Sequence, residues 1–139
     1  MKRISCFVLG ALFPLMVITA YATAKVAPNA VTLKVEYAWT ASDNCSTISP
    51  EIKVSGIPAA TKELVVTLTD LDFPAYPHGG GTVQYTVTNA PFTIPRGALK
   101  QYDGPCPPSA PHSYTIQVDA VDDKGVIVGT GKKTTWCCP

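Results

Sequence analysis

The sequence predicts an antiparallel all-β domain, and three observations carry the prediction. Apolar residues recur at every second position in several runs rich in Val, Thr and Tyr. Clusters of Pro, Gly, Asn and Asp separate those runs, and such clusters break strands into hairpins and loops. No segment shows a helical period, and only Arg96–Gln101 has the composition for a single helical turn.

The elements follow in chain order. Lys2-Arg3, an apolar run from Ile4 to about Tyr21 and Ala22-Thr23-Ala24 make the pattern of a secretory signal peptide cut after Ala24. Pro14 and the shortness of the run argue against a stable membrane anchor. The expected product is an exported protein, periplasmic or secreted, with one domain over residues 25–139. Loss of Lys2 and Arg3 takes the formal charge from +1 to −1. That balance provides no basic footprint for nucleic acid or for an anionic membrane.

Val31–Trp39 alternates, with Val31, Leu33, Val35, Tyr37 and Trp39 on one face. Lys62–Asp72 puts Leu64, Val66 and Leu68 on one face, and a regular strand carries Asp70 and Asp72 onto it as well. Val83, Tyr85 and Val87 form a third pattern. His112–Ala120 aligns His112 with Tyr114, Ile116, Val118 and Ala120, and Val126–Trp136 supplies a last strand or two. Carboxylates on a core face need hydrogen bonds, a cation or a water-filled pocket. Asp70 and Asp72 therefore either cap turns through backbone N–H groups or line a polar pocket at the rim of the sheet. His78, beside Gly79-Gly80-Gly81, reads as a solvated histidine next to a flexible turn.

Tyr102–Tyr114, YDGPCPPSAPHSY, holds four prolines in thirteen residues. Proline fixes φ and lacks an N–H, so Gly104–Pro111 is a stiff loop that delivers His112 to a strand end. Four cysteines follow the signal peptide: Cys45, Cys106, Cys137 and Cys138. In an exported domain they read as disulfides. A bond between neighbours is strained, so Cys137 and Cys138 are expected to reach Cys45 and Cys106, in either order. Adjacent cysteines suit zinc poorly, and neither a metal nor a cofactor is expected.

These motifs resemble the phosphatidylethanolamine-binding proteins, above all their bacterial Raf-kinase-inhibitor-like branch. Asp70-Leu71-Asp72-Phe73-Pro74 resembles that family's D-P-D-A-P. Tyr102–Tyr114 resembles its Y-G-G-P-C-P-P…H-x-Y, and Cys45–Pro50 followed by Ser55–Lys62 is similar to an upstream S-P…G-x-P-x-G-T-K element. The likeness spans most of Thr40–Asp122. It implies an antiparallel two-sheet β-sandwich, with the family's C-terminal helix reduced or absent because Asp122 leads within a few residues to Val126.

The resemblance also implies a binder or inhibitor rather than an enzyme. Its ligand would be small and anionic or phosphate-bearing, of the phosphorylethanolamine kind, and a protein partner would be a further target. Asp70 and Asp72 would line the pocket, Pro74 would shape its wall, and Gly104 and Pro105 would belong to its rim. His112 and Tyr114 would touch the ligand. Gln84 stands where the family carries a histidine, although parity sets it opposite Val83 and Tyr85.

Two other classes compete. An immunoglobulin- or fibronectin-like interaction module would need the strands and the disulfides but no pocket. A hydrolase would need Ser109 or Ser113 with His112 and an aspartate in one geometry, and Ser113 points away from His112 along a strand.

Overall fold

The computed structural model describes residues 24–86 and 91–138. The expected signal peptide, apart from Ala24, and Val87 of the third pattern lie outside them. Among the described residues nine strands form two sheets: β1 Lys25–Thr32, β2 Lys34–Glu36, β3 Ile52–Ser55, β4 Thr61–Asp70, β5 Gly79–Gln84, β6 Phe92–Ile94, β7 Gln101–Tyr102, β8 His112–Asp122 and β9 Val126–Cys137. The larger sheet runs β1-β9-β8-β4-β5-β7 and the smaller β2-β3-β6. Among the described residues the only helical element is a 3₁₀ turn at Ala41–Asp43. All pairings are antiparallel except β1 with β9, where the amino-terminal strand joins the sheet edge parallel to the last strand.

The alternation read from the sequence decides what is buried. Leu64, Val66 and Leu68 of β4 and Tyr114, Ile116, Val118 and Ala120 of β8 face the smaller sheet, which contributes Val35, Ile52, Val54 and Ile94. Each of the Val, Leu and Ile side chains contributes roughly 1.5–3 kcal/mol of burial. The long β4–β8 register, from Leu64 opposite Ala120 to Asp70 opposite Tyr114, keeps both apolar faces on one side.

Val31–Trp39 is not one strand. The chain crosses between sheets at Leu33, whose N–H donates to the Thr130 carbonyl at 2.8 Å. Leu33, Val35 and Tyr37 are buried as expected, while Val31 belongs to β1 and stays exposed. Tyr37 ties the layers together by donating its hydroxyl to the Lys133 carbonyl at 2.9 Å. Val126–Trp136 is a single strand joined to β8 by a tight hairpin in place of a helix. Arg96 and Gly97 form a turn, closed by Ala98 N–H to the Pro95 carbonyl at 3.1 Å.

Gly79-Gly80-Gly81 is strand rather than flexible turn. Gly80 has φ +150°, and a Cβ there would enter the Val66 carbonyl of β4, while one at Gly79 would enter Gln101 of β7. The glycines let three backbones approach closely, which fixes the direction of His78 immediately before them.

The disulfides correct the expected pairing: Cys45 joins Cys106, and Cys137 joins Cys138. The physical reason lies in the loops. Cys45 N–H donates to the Pro105 carbonyl at 2.6 Å and Gly104 N–H to the Ser46 carbonyl at 2.9 Å, so the two segments already lie side by side. Cys45 and Cys106 thereby satisfy each other, and the two terminal cysteines close a bond of their own.

Candidate functional site

A cavity of about 580 Å³ opens at the end of the larger sheet where β4 finishes and β8 begins. Asp70 is its buried anchor, only 3 % exposed. Its Oδ1 accepts the N–H groups of Asp72 at 2.8 Å and Phe73 at 3.1 Å, so it caps the turn that follows β4. Its Oδ2 accepts from His112 Nδ1 at 2.7 Å. Turn cap and pocket residue, the two roles the sequence leaves open, are both filled by this one side chain. Burial works to raise the Asp70 pKa, but the His112 hydrogen bond and the two N–H groups outweigh it and hold the carboxyl below the usual range.

Asp72 reaches the cavity by a different route from the one parity suggests. The strand ends at Asp70, so Asp72 is exposed in the turn, and its Oδ2 accepts Ser113 N–H at 2.6 Å. Tyr114 lies beneath, with its ring 6.2 Å from that of His112 and nearly parallel to it. Burial, followed by the nearby Asp70 carboxylate, pushes the Tyr114 pKa well up, so its hydroxyl stays protonated.

His78 is the residue that sequence reasoning discounted. It is buried, 4 % exposed, and its ring Nδ1 lies 2.7 Å from the Asp103 carbonyl. A carbonyl only accepts, so Nδ1 carries the proton and Nε2 is the nitrogen left without a donor. Nε2 sits 3.9 Å from Asp70 Oδ2. The Tyr114 ring stands perpendicular to His78 at 5.3 Å, and Tyr76, whose hydroxyl donates to Asp103 Oδ2 at 2.6 Å, covers its other side at 4.8 Å. That bond raises the Tyr76 pKa. Phe73, Tyr76 and Asp103 also line the cavity, and no sequence spacing announced them. Proline on one side of His78 and obligatory glycine on the other was the available signal.

The remaining expected site residues are placed as follows. Gly104 lines the cavity, and a Cβ on it would enter the Ser46 carbonyl. Pro105 is fully buried behind the rim formed by Cys106, Pro107 and Pro108. Pro74 sits exposed in the turn closed by Tyr76 N–H to the Phe73 carbonyl at 3.1 Å, outside the cavity lining. Gln84 is exposed on β5 and reaches Glu63 Oε2 at 3.4 Å; the sheet does not bring it to the cavity. The imidazole opposite His112 therefore comes from His78. Ser113 contributes its backbone N–H to Asp72, and no serine side chain lines this cavity.

Comparison with known proteins agrees with this architecture. A sequence model described as phosphatidylethanolamine-binding protein matches residues 23–136. The chain belongs to that family. Among curated proteins it is 30% identical to the UPF0098 protein YbcL of Escherichia coli strain K12, over 105 aligned residues covering 58% of this chain and 56% of that protein. It thus spans just over half the length of that relative. The crystal structure of E. coli YbcL, described as a new member of the mammalian PEBP family, superposes with a TM-score of 0.56 at 19% identity, covering 75% of this chain and 96% of that one. The putative PEBP homologue CT736 from Chlamydia trachomatis superposes with a TM-score of 0.57 at 21% identity, covering 80% and 99%. At such identities the superpositions establish the fold, and that fold replaces the immunoglobulin-type alternative.

Proposed function

We propose that this member of the phosphatidylethanolamine-binding protein family is an exported, non-enzymatic binder. Its cavity takes a small anionic or phosphate-bearing group, with phosphorylethanolamine as the model ligand. The observation that carries the reading is the pair of imidazoles on either side of buried Asp70. His112 bonds its Oδ2 at 2.7 Å, and His78 Nε2 stands 3.9 Å from the same oxygen. The carboxylates are engaged internally and serve to orient rings and backbone. Each ring holds its proton on Nδ1, so Nε2 accepts when the ring is neutral and donates once it is charged. An anion is received by the Nε2–H of a charged ring, or brings its own P–OH donor to the Nε2 of a neutral one.

The chemistry also suits a zwitterion. The Asp72 oxygen not bonded to Ser113 can receive an ammonium group while the imidazoles face the phosphate. Phe73 and Tyr76, both exposed and lining the cavity, are the residues through which occupancy would be communicated to a protein partner. Export rests on the leader pattern of residues 1–24.

The test is a calorimetric titration of the oxidised protein with phosphorylethanolamine at low salt, in two buffers of different ionisation enthalpy. Saturable binding, weakened at least tenfold by His112→Ala and His78→Ala, is the expected result. Folded protein that gives no heat at millimolar ligand overturns the reading.

A further inference from the structure

We propose that the floor of this cavity is a binding site for a divalent transition-metal ion of the zinc, cobalt or nickel class. Ligand atoms of Asp70, Asp72 and His112 all lie within 4.8 Å of one another. Donors sharing one ion through bonds of about 2.0–2.2 Å sit about 3–3.5 Å apart, so small side-chain rotations close the set.

An independent observation points to a cation at the same place. His78 is buried, its Nδ1 proton is committed to the Asp103 carbonyl at 2.7 Å, and its Nε2 lone pair faces Asp70 Oδ2 across 3.9 Å. Among the described residues Nε2 has no hydrogen-bond partner, and a cation between it and Asp70 Oδ2, whose present partner is His112 Nδ1, would satisfy that nitrogen. The ion takes the place of the proton that now links His112 Nδ1 to Asp70, and that proton passes to Nε2 of the same ring, which stays neutral. Two imidazoles and two carboxylates form a mixed nitrogen and oxygen set. Such a set suits borderline ions such as Zn²⁺ and disfavours Mg²⁺ and Ca²⁺, which prefer oxygen alone.

The Asp103 carbonyl on His78 and the Ser113 N–H on Asp72 hold two of the four donors in place, as outer partners of metal ligands do. The positive charge would also give an anion a counter-ion in a cavity whose lining includes the carboxylates of Asp70, Asp72 and Asp103. The metal site rests on donor geometry and shares its cavity with the proposed ligand without depending on it.

The experiment titrates Co²⁺ into chelator-treated, oxidised, untagged protein, read by visible absorption and by calorimetry, with Zn²⁺ and Mg²⁺ as competitors. Expected are one ion per chain, visible bands of a low-coordinate site, displacement by Zn²⁺, and at least tenfold weaker binding in His78→Gln and Asp72→Asn. Both variants keep Asp70 and its turn, and unchanged thermal melts show that they are folded. No saturation, equal competition by Mg²⁺, or undiminished affinity in the folded variants overturns the site. The same protein is titrated with phosphorylethanolamine with and without metal. Anion binding by metal-free protein that takes no Co²⁺ sinks the metal site and leaves the ligand reading standing. Co²⁺ binding without any anion binding does the reverse.

Discussion

Two aspartates close the two strands that supply most of the larger sheet's buried face, and they make an instructive pair. Asp70 ends β4 and Asp122 ends β8. Asp122 Oδ1 accepts the N–H groups of Lys124 and Val126, both at 2.9 Å, and so caps the hairpin into β9. Asp70 Oδ1 does the same for Asp72 and Phe73. The turn chemistry is of the same kind, one oxygen accepting the N–H two residues on and another three or four residues on, and it is what an aspartate after an apolar run ordinarily provides. The difference lies in the other oxygen. Asp122 offers its second oxygen at the surface, whereas Asp70 is buried and offers Oδ2 to His112 and toward His78. A capping residue becomes a site residue when neighbouring elements bury it and present partners to its free lone pairs.

That contrast can be broken by experiment, and the largest effect is expected from truncation. Asp70→Ala strands two turn N–H groups and the His112 Nδ1–H, and should cost about 2–4 kcal/mol by urea denaturation. Asp122→Ala should lower the melting temperature far less, because water reaches the N–H groups it leaves. Equal losses would mean that the inner oxygen contributes nothing.

Asp70→Asn sharpens the comparison. It keeps an acceptor for the turn but removes the charge that receives His112, so an intermediate loss of about 1–2 kcal/mol is expected. If it matches the alanine variant, the turn bonds are not the separable part. The measurement pairs denaturation with the His112 side-chain NMR signals, which should lose their single tautomer.

The acid response comes next. Asp70 and Asp122 both have carboxyls held below the usual range, Asp70 by His112 and the turn N–H groups against its burial, Asp122 chiefly by Val126 N–H. A carboxyl lowered on folding stabilises the protein above its unfolded value, about 3.9, and that stability is lost as pH falls through the lower folded value. In His112→Ala the Asp70 titration followed by NMR should move upward, since burial then acts with one opposing bond fewer. Asp122 should not move.

The smallest effect is expected at Gln84. Gln84→Ala should leave stability within ~0.5 kcal/mol and leave phosphorylethanolamine titrations unchanged, because the side chain is exposed beside Glu63. Weakened binding in that variant would place a second wall of the site on β5.

Much of this was legible in the chain. Period-two alternation picked out the buried faces of β4 and β8 residue by residue, because one face of each strand packs against the second sheet and the other does not. The proline-rich loop was legible as a stiff segment delivering His112, because proline restricts the backbone locally. The short strands β3, β6 and β7 were not, since two to four residues carry too little pattern to distinguish strand from loop. Gln84 looked like a site position by motif spacing, yet the glycine strand turns His78 inward.

The sequence by itself therefore determined the class of fold, the buried faces, the loop that brings His112 and the likeness to a family, all properties of local pattern and backbone restriction. Only the tertiary structure decided the rest. It decided that β1 pairs parallel with β9, that Cys45 meets Cys106, that His78 rather than Gln84 shares the cavity with His112, and that Asp70 caps a turn and anchors a site at once. Those outcomes depend on which backbones approach closely enough to exclude water. The separation between His78 and Asp70, or between Cys45 and Cys106, is set by strands contributed from elsewhere in the chain.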